Sequence, residues 1–158
     1  MNCDVLFHPQ LLSDLVNAKY EDALLIAYQE DDSAPLGDEE MKIKARRGRV
    51  QEIAKTLDPA EADGENLGIV KFGPEGARLL TSLLDQRVAD GGLRDWAPKA
   101  FGDFAKIRAL HTIGTRGYPW TEIDFPADYE RAVNEVLPAI EGRGAEPAGA
   151  PVAIRRVG

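Results

Sequence analysis

Apolar runs alternate with polar stretches carrying glycine and proline, and their spacing predicts a mixture of strands and helices. Residues 2–7, in MNCDVLFHP, read as the end of a buried strand. Pro9 suits a first helical position, and Leu11, Leu12, Leu15 and Val16 repeat at helical spacing to about Asn17. ALLIAYQ (23–29) is a continuous apolar run of strand length, the pattern of a strand covered on both faces. EDDSAPLGDEE (30–40) is acidic, contains Pro and Gly, and reads as a loop.

MKIKARRGRVQEIAK (41–55) predicts a hairpin. Met41, Ile43 and Ala45 alternate with Lys42, Lys44 and Arg46, and Arg47-Gly48 falls at the turn. LDPAEADGEN (57–66) reads as a polar loop and LGIVKF (67–72) as a strand. Pro74 opens a helix through Ala77, Leu80, Leu83, Leu84 and Val88, closed by Gly91-Gly92. Trp96, Ala100, Phe101 and Phe104 mark a second helix; KIRALHTIG (106–114) reads as a strand, TRGYPW (115–120) as a loop and TEIDF (121–125) as a short extended piece. Pro126 opens a last helix whose stripe runs through Tyr129, Val133, Val136 and Ile140. Residues 1–141 are expected to form one partial domain, and the Gly-, Ala- and Pro-rich 142–158 a disordered tail. The pattern is α/β with at least one antiparallel element.

With 158 residues, 44% apolar and 29% charged, the chain suits a single globular domain. Its net charge of -8 argues against nonspecific nucleic-acid binding, which needs basic surface to displace counterions. The single cysteine, Cys3, excludes a disulfide within the chain, and without an activating basic neighbour it reads as a small buried apolar group. No segment approaches the ~20 apolar residues of a membrane span, and no secretory signal is visible. Cytoplasm is the default compartment.

Two carboxylates stand out. Asp4 sits where a buried strand gives way to a helix, and Asp124 sits in EIDFP just before the last helix. The carboxyl ends of strands face the ligand crevice in open α/β sheets. Two aspartates at one such edge suit Mg²⁺, which takes one or two carboxylates plus water and substrate phosphates. The competing explanation makes both aspartates helix caps or partners of the helix dipole, and by spacing alone that is the commoner fate. Glu65, in DGENLGI, is placed to accept hydrogen bonds from a substrate, although a solvated loop acid is the commoner case. Tyr118 and Trp120 flank Pro119 and offer ring faces to a ligand, a cationic one included. His8 and His111 lack metal-ligand spacing.

Resemblance extends this reading. CDVLFHPQLL, then PLGDEEMKIKARRGRVQEIAKTL, then ADGENLGIVKFGPEGARLL and GYPWTEIDFPADYERAVNEVLPAI together resemble nucleotidyltransferases of the phosphocholine cytidylyltransferase type. These belong to a sugar-nucleotidyltransferase-like group related to the molybdenum-cofactor guanylyltransferases. The resemblance covers about residues 2–140 and implies the C-terminal part of a Rossmann-like nucleotide-diphospho-sugar transferase fold. A mixed sheet with an inserted β-hairpin and flanking helices is expected. It implies that Asp4 and Asp124 are the metal-binding, catalytic aspartates. Glu65 falls in the acceptor-side segment, and Trp120 and Glu122 lie beside the metal as substrate-binding residues. The implied reaction is Mg²⁺-dependent nucleotidyl transfer from a nucleoside triphosphate, CTP favoured, with release of pyrophosphate. The acceptor is a phosphorylated small molecule, phosphocholine or a sugar 1-phosphate.

One departure is large. The family's opening strand and glycine-rich loop, roughly G-x-G-x-R with a later P-K, are absent from these 158 residues. The expectation is that the chain begins where a first nucleotide-binding half has already ended, through a late annotated start, a gene remnant, or a half supplied by another chain. A sheet edge and apolar helix faces are then expected to lie open to water. The alternative function is a non-catalytic remnant or regulatory module that binds a phosphorylated ligand or a protein partner.

Overall fold

The computed structural model describes residues 1–30 and 36–142. β1 (Val5–Phe7) leads into α1 (Pro9–Asn17), then β2 (Ala23–Tyr28), the hairpin β3 (Lys42–Arg46) and β4 (Arg49–Ala54), and β5 (Gly64–Lys71). α2 (Pro74–Ala89) and α3 (Ala97–Ile107) precede β6 (His111–Gly114) and β7 (Trp120–Glu122). α4 (Pro126–Arg131), a π-helical stretch Ala132–Val136 and α5 (Leu137–Gly142) close the described chain. The tail expected over 142–158 lies outside the described residues apart from Gly142, which is helical.

Five strands close into a mixed barrel in the order β2-β5-β3-β4-β6, and β1 and β7 form a separate two-stranded ladder. β6 runs parallel to β2, and the other barrel pairings are antiparallel. The inserted hairpin and the flanking helices match the expectation. Its turn carries positive φ at Arg47 (53°) and Gly48 (71°), the geometry that tight hairpins favour.

β2 explains its own continuous apolar run. Leu24 and Ile26 enter one core with Ile43, Val50, Ile53, Phe101, Phe104 and Leu110. Ala23, Leu25 and Ala27 enter a second core with Leu11, Leu15, Leu67 and Ile69. Side chains alternate across a strand, so a strand in the middle layer must be apolar at every position.

Several boundaries move. β1 spans only Val5–Phe7 of the expected 2–7, and its residues are half-buried rather than buried. Residues 64–66 are not loop but the start of β5, where Glu65 pairs with Ala27 and Lys42. The polar GEN sequence hides a strand because its side chains line cavities rather than core. α3 continues through Lys106 and Ile107, so the last strand before the site is only His111–Gly114. β7 begins at Trp120, inside the segment expected to be loop. Apolar side chains stand exposed on α1 (Leu12, Val16) and along the C-terminal helices (Tyr129, Val133, Leu137). Among the described residues, no helix is long and apolar enough to cross a membrane.

Candidate active site at the β1–β7 rim

The register of one short ladder assembles the site. Val5 lies opposite Glu122, Leu6 opposite Thr121 and Phe7 opposite Trp120. Beyond the last rung the Ile123 N–H donates to the Asp4 carbonyl at 2.8 Å. Asp4, Glu122 and Asp124 therefore lie at one end of the ladder, and all three line a cavity of about 370 Å³. A larger cavity of about 640 Å³ adjoins it, with Glu39, Glu122 and Asp124 lining both.

Neither aspartate caps a helix. α1 is capped by His8, whose Nδ1 accepts from the Gln10 N–H at 3.1 Å. α4 is capped by Asp128, whose Oδ2 accepts from the Asp124 N–H at 3.1 Å and the Phe125 N–H at 2.8 Å. The capping explanation for Asp4 and Asp124 therefore fails, while Asp124, just before Phe125 at the start of α4, keeps the place of a helix-dipole partner. Asp4 Oδ1 is shut away from water and has no hydrogen-bond partner among the described residues. Such an oxygen carries a desolvation cost that a cation or a donor on a ligand would relieve.

Glu122 feels both aspartates. Burial pushes the Glu122 carboxyl above the ordinary glutamate range, and the Asp124 and Asp4 carboxylates add to the rise. A hydrogen bond from Asn2 and the charge of Lys55 pull the other way.

Glu65 lines the larger cavity, together with Trp120, Tyr118 and Arg131. Tyr118 stacks on His8, with centroids 4.7 Å apart. Arg131 is the cavity's one basic side chain among the described residues, and its Nη2 donates to buried Thr121 Oγ1 at 2.5 Å. All five residues expected from the sequence thus line one cavity or the other. Asp4, Glu122 and Asp124 share the smaller one, while Glu65 and Trp120 line only the larger.

Cys3 departs from its expected burial. It is exposed, since it precedes the ladder and lines the smaller cavity instead of a core. Glu39, Lys55, Asn66 and Arg131 escaped the sequence reading. Asn66 follows Glu65 on β5, and alternation sends the two to different cavities.

Among the described residues, no group of three or more His, Cys, Asp or Glu side chains is arranged to hold a metal ion. Asp4 and Asp124 are two carboxylates, and Mg²⁺ usually completes its shell with water and substrate phosphates. The donor set and the orphaned Asp4 Oδ1 fit an ion of that kind.

No family model and no curated protein matches the sequence. Solved structures do. The chain is similar to the inositol-1-phosphate CTP transferase from T. maritima, with a TM-score of 0.66 and 19% identity over 90% of this chain and 55% of that one. It is similar to the CTP:phosphocholine cytidylyltransferase from Streptococcus pneumoniae, with a TM-score of 0.61 and 20% identity over 87% of this chain and 56% of that one. The chain therefore spans about 55% of the length of the solved structures it matches. Its fold is that of the nucleotidyltransferases, a Rossmann-like α/β fold with helices flanking a mixed sheet.

Proposed function

We propose that this chain carries the metal-binding and acceptor-binding part of a Mg²⁺-dependent nucleotidyltransferase. It would use a nucleoside triphosphate, CTP favoured, and a phosphorylated acceptor such as phosphocholine or a sugar 1-phosphate. The observation that carries the reading is the buried, unpartnered Asp4 Oδ1 at the same rim as Asp124, where neither aspartate has a capping role.

Asp4 and Asp124 are the residues that would hold the ion, which when bound neutralises phosphate charge as the acceptor oxygen attacks the α-phosphorus and pyrophosphate leaves. Arg131, fixed by Thr121, offers the larger cavity a guanidinium for a phosphate oxygen. Glu65 and Trp120 line the same cavity and would orient the acceptor. Glu122 sits where the two cavities adjoin, beside both proposed metal-holding aspartates.

The test is Mg²⁺-dependent pyrophosphate release from CTP with phosphocholine or glucose 1-phosphate, with Asp124→Ala as control. Release that needs acceptor, metal and Asp124 supports the reading; release indifferent to Asp124, or none with any nucleotide, counts against it. The alternative reading is a non-catalytic module binding a phosphorylated ligand or a protein partner. Ligand binding without turnover under these conditions would select it.

A further inference from the structure

The tip of the β3–β4 hairpin gathers positive charge that the fold does not use. Arg46 and Arg49 stand directly opposite each other across the two strands, with Arg47 in the turn between them, and all three are exposed. Directly opposed like charges on one sheet face destabilise a strand pair. Arg47 adds a second cost, since it holds a left-handed φ of 53° at a turn position that favours Asn or Gly. Two local rules are broken at one tip, which points to a gain made outside the hairpin.

The chain's own acids supply no such gain. Among the described residues, none of the three arginines pairs with a carboxylate, whereas Lys44 nearby on β3 is taken by Glu61 at 2.8 Å. Exposed Lys19 extends the patch, also without a carboxylate partner among the described residues. Its Nζ lies 5.3 Å from the Tyr20 ring centroid, Tyr20 stacks on His111 at 3.8 Å, and His111 pairs with Arg49 across β6 and β4. The tip is also held in place: the Gly48 carbonyl accepts from the Thr112 N–H at 3.1 Å, and the Val50 N–H donates to the Leu110 carbonyl at 2.9 Å. The arginines therefore project from a backbone fixed before any partner arrives, which lowers the ordering cost of binding.

Guanidinium forks fit carboxylates and phosphates alike, so the size of the anion decides. Screening confines the patch to about 8 Å at physiological salt. A long polyanion, such as a nucleic acid, would run past it onto a protein of net charge -8 and be repelled there. A short acidic peptide segment ends within the patch and meets little of that repulsion.

We infer that the hairpin tip is a docking surface for a short acidic segment of a protein partner, with Arg46, Arg47 and Arg49 pairing with its carboxylates. None of these residues lines either cavity, so the inference stands apart from the nucleotidyl-transfer reading.

Fluorescence anisotropy of a short labelled oligoglutamate peptide, titrated with the full chain at physiological salt, tests it beside a labelled single-stranded RNA of similar length. The peptide should bind with a Kd of about 100 μM or tighter, and more tightly than the RNA. The double variant Arg46→Gln with Arg49→Gln should weaken peptide binding by about tenfold or more. Arg94→Gln, which removes an exposed and unpaired arginine elsewhere, should leave it within about twofold. The double variant should also keep or raise the Tm, because the fold loses an opposed like-charge pair. A lower Tm or a failure to fold overturns the inference, since the arginines then serve the hairpin. No binding of the peptide, tighter binding of the RNA, or an equal loss in Arg94→Gln overturns it too.

Discussion

Ile123 donates its backbone N–H to the carbonyl of Asp4 at 2.8 Å, and this bond ties the two ends of the described fold together. Asp4 and Asp124 are 120 positions apart in sequence, yet the β1–β7 register brings both to one cavity with Glu122 beside them. The electrostatic consequence appears on Glu122, whose carboxyl is pushed up by burial and by both aspartates.

Glu122 should therefore weaken the ligand-free fold at neutral pH. Its folded pKa is raised above the unfolded value, so the folded state binds the proton more tightly. That stabilising contribution is complete below the unfolded pKa of about 4.3 and is lost as pH rises through the folded value. Glu122→Gln should raise Tm at pH 7, at roughly 2–4 °C per kcal/mol, and the gain should vanish below about pH 4. Thermal unfolding across this range checks it; a Tm difference independent of pH would refute the coupling.

Asp22 is 3% exposed, and it joins two helix-flanking segments to the sheet. Its Oδ1 accepts from the Gly73 N–H at 3.0 Å and its Oδ2 from Arg108 Nε at 2.5 Å. Arg108 keeps 35% of its side-chain exposure and also pairs with Glu21, which moderates the loss. Asp22→Ala should cost about 2–3 kcal/mol in urea unfolding. A change under about 0.5 kcal/mol, the range of ordinary surface substitutions, would contradict this.

Gly64 lets β5 approach β2 closely. A Cβ there would lie 2.1 Å from the Ala27 carbonyl oxygen, a backbone atom that cannot step aside. Gly64→Ala should destabilise by roughly 1–3 kcal/mol and displace Glu65 and Asn66, which follow it on β5. A wild-type Tm with unchanged amide chemical shifts at 65 and 66 would be inconsistent with this packing.

Lys42 is 1% exposed, and its ammonium donates to the Gly37 carbonyl at 2.6 Å and the Glu40 carbonyl at 3.3 Å. It pins the segment carrying Glu39 and Glu40, both on the wall of the larger cavity. On the proposed function, Lys42→Met should loosen that wall and raise KM for the acceptor about fivefold, the equivalent of about 1 kcal/mol, with little change in kcat. Steady-state kinetics separates the two; a fall in kcat at constant KM would place Lys42 in the chemical step instead.

The elements with strong periodicity were legible. Pro9 with Leu11 and Leu15 marked α1, the unbroken run 23–29 marked β2, and Arg47-Gly48 marked the hairpin turn. Each depends on local chemistry that the sequence carries in place. The polar start of β5 was hidden because Glu65 and Asn66 line cavities, and a strand with polar side chains reads as a loop. The end of α3 was obscured because Lys106 and Ile107 suit a helix or a strand equally. Asp4, Glu65, Trp120, Glu122 and Asp124 stood out by position and resemblance. Glu39, Lys55 and Asn66 did not, because only the closing of the barrel against the β1–β7 ladder brings them to the same walls. Composition described Glu39 as part of a solvated acidic loop, which is also how such a residue looks when it lines a pocket.

Paramagnetic broadening of amide resonances by Mn²⁺, standing in for Mg²⁺, tests the central claim most directly. The account predicts selective broadening at Asp4, Glu122, Ile123 and Asp124, abolished by Asp124→Ala while the remaining spectrum stays folded. Broadening centred on other acidic segments, or an unchanged pattern in Asp124→Ala, would contradict it.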